Sequence, residues 1–399
     1  MITKLSLYVK GFGVAAVRKS AAMKNFAIKL KIMKQQTSAT SETLIEGRNI
    51  IDFTGKTIYV GIDVHQKDYQ VAKVYDGICL GNHRMAANSE ALIEHLRSHY
   101  QGADFKCVYE SCAWGFNLQR KLTAANMECM VVHAADVSTN DKERKRKTDK
   151  VDALKLARNL AAGELKAIHV PDETIQKERN LIRYRTRLVG DINRSKNRLK
   201  SLLKYQGIEI PAPYLKNNWS RNFMAWVEDQ AAKDDLLKDR LLLMLEQMKL
   251  LRQLLLKIER KLGVLRKGKY ESKAKLAMSV PGIGPLTAML FLLEVGDVKR
   301  FKGFDTLNDF VGFCPDTASS GETDRDKGIS ARRHKQLRSA LVEAAWQAIR
   351  IDPAMMNTYQ MLTKRMKGSQ AIIRIARKLL RRLRAVLLTG IEYQKGVVA

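Results

Sequence analysis

Four acidic residues have the spacing expected of a site for hard cations. Asp63 and Glu110 each end an apolar, strand-like run, and Asp149 and Asp152 lie three residues apart at the start of a helical run. That spacing puts the second pair of carboxylates on one helix face. Such a set could hold Mg²⁺ or Mn²⁺ through oxygen ligands and support phosphodiester chemistry. Each acid alone is more typical of a turn, a helix cap or a solvated helix N-terminus, so only the full set points to a metal.

The strongly basic composition predicts a polyanionic partner. The 399 residues include 71 Lys plus Arg against 41 Asp plus Glu, a formal net charge of +30. Each phosphate that such residues neutralise releases condensed counterions, so nucleic acid is favoured over an anionic membrane surface. Lys145, Arg146 and Lys147 directly precede the acidic pair and are predicted to contact phosphate, with a solvated loop as the alternative.

Strand-like and helix-like runs alternate in the first part of the chain. Strands are predicted over 57–63, 69–75, 105–110 and 127–132, and helices over 89–99 and 115–126. This alternation predicts a layered α/β domain that would position the acids.

Leucine-rich, basic segments follow and carry little strand signal. A helix is predicted over 173–205 and a second over 236–265, separated by a proline-containing break at 207–218. Apolar residues recur in the second helix at roughly heptad spacing, which predicts a helical hairpin or coiled coil used for spacing or for homo-oligomerisation. Its repeating residues are Leu237, Leu241, Met244, Met248, Leu251, Leu255, Ile258, Leu262 and Leu265.

No apolar run reaches the roughly 20 residues needed to cross a bilayer, so no membrane partner is expected. The five cysteines form no paired metal-binding spacing, which favours reduced thiols and a cytoplasmic location.

Three motifs in the first domain together resemble a known family. Tyr59-Val-Gly-Ile-Asp-Val-His65, Val108-Tyr-Glu-Ser111 and Lys147-Thr-Asp-Lys-Val-Asp-Ala153 resemble the DEDD domain of transposases of the insertion sequence 110 family. The resemblance covers roughly residues 57–165. It implies a RuvC-like domain of RNase H fold in which the four acids hold the metal and are catalytic.

The C-terminal region carries a turn and a serine of interest. Gly282 and Gly284 lie in a Pro-Gly-x-Gly turn, which is typical of a helix-hairpin-helix element, whose backbone amides contact a DNA phosphate, or of a plain helix cap. Ser320 lies in a small polar segment that by itself predicts a loop. The order of the surrounding motifs resembles the same family's C-terminal domain, which implies that Ser320 is the nucleophile, with Ser319 less favoured. Ala331 and Arg333 depart from the family pattern of lysine and glycine, which puts the loop geometry and the activity in question.

The resemblance implies DNA strand exchange by a dimer or tetramer, guided by a noncoding bridge RNA, in the bacterial cytoplasm and at the nucleoid. Basic residues of the C-terminal region are expected to contact nucleic acid, with a solvated face as the alternative. They are Arg332, Arg333 and Arg338, and the helical stripe of Arg374, Arg377, Lys378, Arg381 and Arg382.

The chain is thereby divided into four parts. A flexible basic extension (1–56) precedes the RuvC-like domain (57–170), the helical hairpin or coiled coil (171–272) and a mostly α C-terminal domain (273–399). Two alternatives stay open: a RuvC-like junction resolvase that uses the acids alone, and a basic coiled-coil protein that binds nucleic acid without chemistry.

Overall fold

The structure is a computed structural model that describes residues 52–138, 148–216, 219–233, 235–320 and 323–395. For residues 216, 316–320 and 323–327 it describes the backbone alone. The chain divides into two compact units, Met1–Val170 and Pro171–Ala399. Nearly all of the predicted N-terminal extension lies outside the described residues.

A mixed sheet forms the centre of the first unit. Its strands are β1 (Thr57–Val64), β2 (Asp68–Tyr75), β3 (Ile78–Ala86), β4 (Asp104–Glu110) and β5 (Glu128–Val132), and its helices are α1 (Ser89–His99), α2 (Asn117–Ala124) and α3 (Asp149–Ala161). The strand order is β3-β2-β1-β4-β5. Strand β2 is antiparallel to both neighbours, whereas β1, β4 and β5 are parallel. This architecture fits the expected α/β RNase H-like domain.

Side-chain alternation along β1 gives the sheet two buried faces. Ile58, Val60 and Ile62 pack into one core with Leu92 and Leu122, which belong to α1 and α2. The intervening positions face α3 instead, because successive strand residues point to opposite sides. Phe53, which precedes the predicted domain start, is also buried and packs edge-on against Tyr75 and Tyr100.

The second unit is mainly helical. Its elements are α4 (Glu173–Tyr205), α5 (Ala212–Lys216), α6 (Arg221–Ala231), α7 (Asp235–Lys267), α8 (Glu271–Ser279), α9 (Pro285–Val295), α10 (Phe304–Val311), β6 (Pro315–Ser320), β7 (Thr323–Ile329), α11 (Lys335–Ile351), α12 (Pro353–Thr363) and α13 (Gly368–Thr389).

Helices α4 and α7 form the predicted hairpin. Arg185 pairs with Glu259, and Ser195 donates to Gln247 at 3.3 Å. From the first pair to the second, the residue number rises in α4 and falls in α7, so the two helices run antiparallel. The segment between them is more than the predicted proline-containing break. Helix α5 lies within that break, and helix α6 follows it before α7 begins. Phe223 and Val227 of α6 are fully buried against this hairpin's apolar side.

The C-terminal core surrounds α9. Every residue from Ala288 to Val295 is buried, and all of them except Glu294 are apolar, as expected for a helix surrounded by the core. The small polar segment predicted as a loop is instead a β-hairpin, in which β6 pairs antiparallel with β7. Its strands escaped prediction because their sequences, PDTASS and TDRDKGI, lack the apolar alternation that marks a half-buried strand.

Candidate metal site and serine hairpin

Two of the acids are carried to the same edge of the sheet by parallel strands. Asp63 is the penultimate residue of β1, and Glu110 is the last residue of β4. Ile62 is paired with Tyr109 in the parallel register, so each acid directly follows a paired residue. Both acids therefore lie at the carboxyl end of the sheet, as the sequence predicts.

The other two acids are placed by the start of α3. The Thr148 side chain accepts a hydrogen bond from Val151 N and caps the helix immediately before Asp149. Asn82 donates to the Lys150 backbone oxygen at 2.8 Å and in turn accepts from Gln70 at 2.7 Å. The helix start is thus tied to β2 and β3.

A glycine allows α3 to approach β1 closely. A Cβ atom on Gly61 would overlap the backbone oxygen of Ala153, and it would lie 3.1 Å from the Ala157 side chain. Gly61 and Asp63 share one strand face because they are two residues apart. The contact therefore brings the helix onto the face that presents Asp63.

The structure brings Asp63 and Asp149 together around His65. The Nε2 atom of His65 lies 3.2 Å from Asp63 Oδ2 and 3.5 Å from Asp149 Oδ2. Donor atoms of these three residues all lie within 4.8 Å of one another. Asp152 is close enough to affect Asp63 electrostatically and lies 3.6 Å from the amine of Lys155. Glu110 lies outside the three-residue group.

His65 is the residue that sequence reasoning did not single out. Its signal was the Asp-x-His spacing at a strand end, which puts both side chains on one face. The charge balance of the cluster favours a cation. Burial raises the pKa of Asp63, and the carboxylates of Asp149 and Asp152 raise it further, whereas His65 lowers it. A divalent ion would relieve this repulsion, and carboxylate oxygens are ligands that Mg²⁺ and Mn²⁺ accept, so the residues present fit such an ion.

Ser320 ends strand β6 of the hairpin in the second unit. It pairs in register with Thr323, while its side chain lies outside the described atoms. The base of this hairpin is closed by Arg338, which donates to the backbone oxygens of Gly312 and Ser330, both at 2.8 Å. Ser330 N also donates to Cys314 O at 2.8 Å.

The predicted nucleic-acid contacts have varied surroundings. Lys145, Arg146 and Lys147 lie outside the described residues. Gly282 has φ +83, and a Cβ there would overlap the Ala344 backbone oxygen, so packing against α11 accounts for this glycine. Gly284 precedes α9 and has open space beside it.

Most of the predicted arginine contacts are exposed. Arg332 and Arg333 are exposed, and Arg333 donates to Ala331 O at 3.0 Å. Arg377 lies 3.4 Å from Asp305, and Arg381 is exposed with its guanidinium 4.6 Å from the centre of the Phe304 ring.

The stripe on α13 is less uniform than its spacing predicts. Arg382 contacts the buried carboxylate of Asp352 at 2.9 Å, so this member is engaged inside the unit.

Within the part of the chain that the structure describes, no helix has the length and apolar composition needed to span a membrane.

Comparisons with known proteins match both units. A family model described as a transposase, of the DEDD type of IS110 elements, matches residues 60–206, which include the four acids. A second model, described as the transposase IS116/IS110/IS902 family, matches residues 274–360, which include Ser320.

Individual relatives extend this similarity over most of the chain. A Sinorhizobium fredii protein named as a transposase, y4qE, is 27% identical over 75% of this chain and 73% of its own length. The transposase for insertion sequence element IS1533 of Leptospira borgpetersenii is 24% identical over 73% of this chain and 85% of its own. A 43.6 kDa protein of insertion element IS110 from Streptomyces coelicolor is 32% identical over 30% of each chain.

Proposed function

Because this chain belongs to the IS110 family of insertion-sequence DNA transposases, we propose that it cuts and rejoins DNA with a metal-binding acidic site and a serine nucleophile. The proposed metal ligands are Asp63, Glu110, Asp149 and Asp152. The proposed nucleophile is Ser320. The observation that carries the metal site is the convergence of Asp63 and Asp149, which are distant in sequence, on His65.

The proposed cofactor is Mg²⁺ or Mn²⁺. When bound, such an ion stabilises negative charge on the oxygens of a reacting phosphodiester. The protein's part is to hold the carboxylates in place, through the register of β1 with β4 and through the close contact of α3 with Gly61. Preorganised ligands of this kind avoid the cost of reorganisation during the reaction.

The proposed covalent step conserves the energy of the DNA backbone. The Ser320 Oγ atom bonds to phosphorus and loses its proton, while the bond from phosphorus to one deoxyribose oxygen breaks and that oxygen gains a proton. The product is a phosphoserine ester and a free DNA hydroxyl. A hydroxyl of another strand can reverse the step, so rejoining needs no ATP.

A noncoding bridge RNA and a homo-oligomer complete the proposal. The net charge of +30 suits two nucleic-acid partners. The predicted heptad residues Leu237, Leu241 and Met248 are buried inside the unit. Leu236, Leu243 and Leu250 of α7 are exposed at seven-residue intervals, which supports self-association through a different side of this helix. The proposed location is the cytoplasm, at the nucleoid.

Sequencing the RNA that copurifies with the protein tests the proposed guide RNA. A discrete structured RNA supports it, and bulk cellular RNA alone contradicts it.

A DNA-cleavage assay that traps protein–DNA adducts tests the chemistry. We expect Ser320→Ala to abolish the covalent adduct and strand exchange while metal binding survives, and Ser319→Ala, the matched neighbour, to keep both activities. Undiminished recombination by Ser320→Ala would favour a resolvase-like enzyme that uses the acids alone. We expect Asp63→Asn, Glu110→Gln and Asp152→Asn each to stop cleavage. A fully active Asp152→Asn protein would remove that acid from the site.

A further inference from the structure

We propose that His65 is itself a metal ligand, through Nε2, and that it gives the site a preference for Mn²⁺ over Mg²⁺. This inference rests on the proposed metal site of the first unit and adds a nitrogen donor to its carboxylates.

His65 is the first residue after β1. Gly61 and Asp63 share one face of the strand, and His65 continues their two-residue spacing and lies 3.2 Å from Asp63. Gly61 contacts α3 on that face. The His65 amide donates to Asp68 O at 3.0 Å, which fixes the backbone where the chain turns into β2. The imidazole is therefore held on the side of the sheet where α3 presents Asp149.

The distances around His65 match those between neighbouring ligands of one ion. In an octahedral site with bonds of about 2.1 Å, adjacent ligand atoms lie about 3 Å apart. The imidazole Nε2 lies 3.2 Å from an Asp63 oxygen and 3.5 Å from an Asp149 oxygen. Small side-chain rotations would let all three atoms face one cation.

The environment leaves the imidazole available to an ion. The His65 side chain is 45% exposed, and those of Asp63 and Asp149 are 27% and 51% exposed. An ion and its remaining water ligands can therefore reach the three donor atoms without unfolding the sheet.

A nitrogen ligand changes which ion the site prefers. Mg²⁺ favours oxygen ligands and retains its waters, whereas imidazole binds first-row transition ions more readily. A purely carboxylate site suits both Mg²⁺ and Mn²⁺, so the added nitrogen is what shifts the preference. The Asp-His-Asp set therefore favours Mn²⁺.

If His65 were a counter-charge for the two aspartates and not a ligand, its removal would have a different effect on metal binding. If the imidazole only neutralised Asp63 and Asp149, it would compete with the metal, and its removal would strengthen binding of both ions. If it is a ligand, its removal weakens Mn²⁺ binding and changes Mg²⁺ binding little.

Mn²⁺ titration of the full chain by electron paramagnetic resonance tests the proposal. The test variant is His65→Phe, which keeps the ring shape and removes the donor atom. The matched control is His169→Phe, at an exposed histidine of the same unit. We expect His65→Phe to weaken Mn²⁺ binding about tenfold or more, the scale seen when even groups supporting a ligand are lost. Competition with Mg²⁺ should then show a smaller preference for Mn²⁺.

Pulsed resonance of bound Mn²⁺ supplies a direct readout. Wild type and His169→Phe should show a ¹⁴N hyperfine coupling that changes on ¹⁵N-histidine labelling and is absent in His65→Phe. Bound Mn²⁺ without nitrogen coupling in wild type, or tighter binding by His65→Phe, would overturn the proposal. Failure of the metal site itself would look different, because Asp63→Asn would then leave Mn²⁺ binding unchanged. Thermal melting without metal checks that each variant is folded.

Discussion

Gly61 and Ala153 touch backbone to backbone, so that a methyl group on the glycine would overlap the alanine's carbonyl oxygen. This contact sets the distance between strand β1 and helix α3. Because Asp63 follows Gly61 by two residues and Asp149 precedes Ala153 by four, it also sets the separation of the two carboxylates. Packing and metal binding are therefore linked at a single glycine.

We expect Gly61→Ala to weaken metal binding as well as stability. The added methyl group must push α3 away from the sheet, and overpacking of this kind costs about 1–3 kcal/mol. Denaturant unfolding and Mn²⁺ titration measure the two effects. Gly81→Ala is the matched control, because a Cβ there meets only the end of the Lys73 side chain, at an ordinary 3.5 Å. Equal Mn²⁺ affinity in Gly61→Ala and wild type would show that the position of α3 does not determine metal binding.

A second prediction concerns Arg338, which sequence reasoning assigned to nucleic-acid contact. Its guanidinium joins Gly312 O, before β6, to Ser330 O, after β7. We expect Arg338→Met to loosen the hairpin that carries Ser320. Strand transfer should then fall by tenfold or more, or about 1.4 kcal/mol, while DNA affinity changes little.

Salt dependence distinguishes this role from a phosphate contact. The matched variant is Arg381→Gln, at an exposed arginine of α13. Loss of one phosphate contact lowers the slope of log affinity against log salt by about 1. We expect that change for Arg381→Gln and an unchanged slope for Arg338→Met. A reduced slope with normal strand transfer in Arg338→Met would identify Arg338 as a DNA contact after all.

The sequence predicts the elements that carry the acids because their patterns are local. Apolar runs that stop at Asp63 and Glu110 are enough to define β1 and β4, and a helical run that opens with Asp149 and Asp152 defines the start of α3. The order of these elements could therefore be anticipated. The register of β1 with β4 and the packing of α3 on Gly61 are seen only in the structure.

Other features depend on partners that the sequence does not reveal. Strand β3 contains Asn82, His83 and Arg84 in succession, so it lacks the alternation of a half-buried strand. Spacing alone groups Arg382 with exposed arginines, whereas its actual partner is the buried Asp352. A charge count predicts a basic surface but does not show which charges are neutralised internally.

A third prediction concerns the buried carboxylate of Glu294 in α9. Arg183 of α4 binds it through two hydrogen bonds of 2.7 and 2.8 Å, and His334 lies 3.2 Å away. Burial raises the pKa of Glu294, but the hydrogen bonds from Arg183 and His334 outweigh it and hold the pKa at about 2. The ionised carboxylate thus anchors α4 and the start of α11 to the core helix.

We expect Glu294→Gln to destabilise the protein by about 1–3 kcal/mol, because it leaves the mostly buried Arg179 guanidinium, which is 12% exposed, without its counter-ion. Arg183 is 47% exposed and can be solvated instead, which lowers the cost. In wild type, this stabilisation is present above the ordinary glutamate pKa near 4.5 and is lost as the pH falls towards 2. The free energies of unfolding of wild type and of Glu294→Gln should therefore differ most above pH 4.5 and converge as the pH falls below it. Glu259, whose side chain is 31% exposed, offers the control, since Glu259→Gln should cost about 1 kcal/mol or less.

The last prediction concerns Lys73, a lysine of β2 that is only 2% exposed. Its amine lies 2.8 Å from His83 Nδ1 and 3.5 Å from His95 Nε2, and no carboxylate pairs with it among the described ion pairs. Burial lowers the pKa of Lys73 to about 8. At neutral pH the sheet therefore carries a buried positive charge without an acidic partner.

We expect Lys73→Met to melt at a higher temperature than wild type at pH 7, because methionine fills similar space without the cost of a buried charge. Between about pH 8 and 10.5 the folded amine is neutral while the unfolded one still binds a proton, so wild type gains stability as the pH rises. The gap in melting temperature should therefore narrow across this range. Arg84→Met, at an exposed position of the neighbouring strand, controls for loss of positive charge. A gap that stays constant from pH 7 to 10 would show that Lys73 keeps an ordinary pKa in the folded protein.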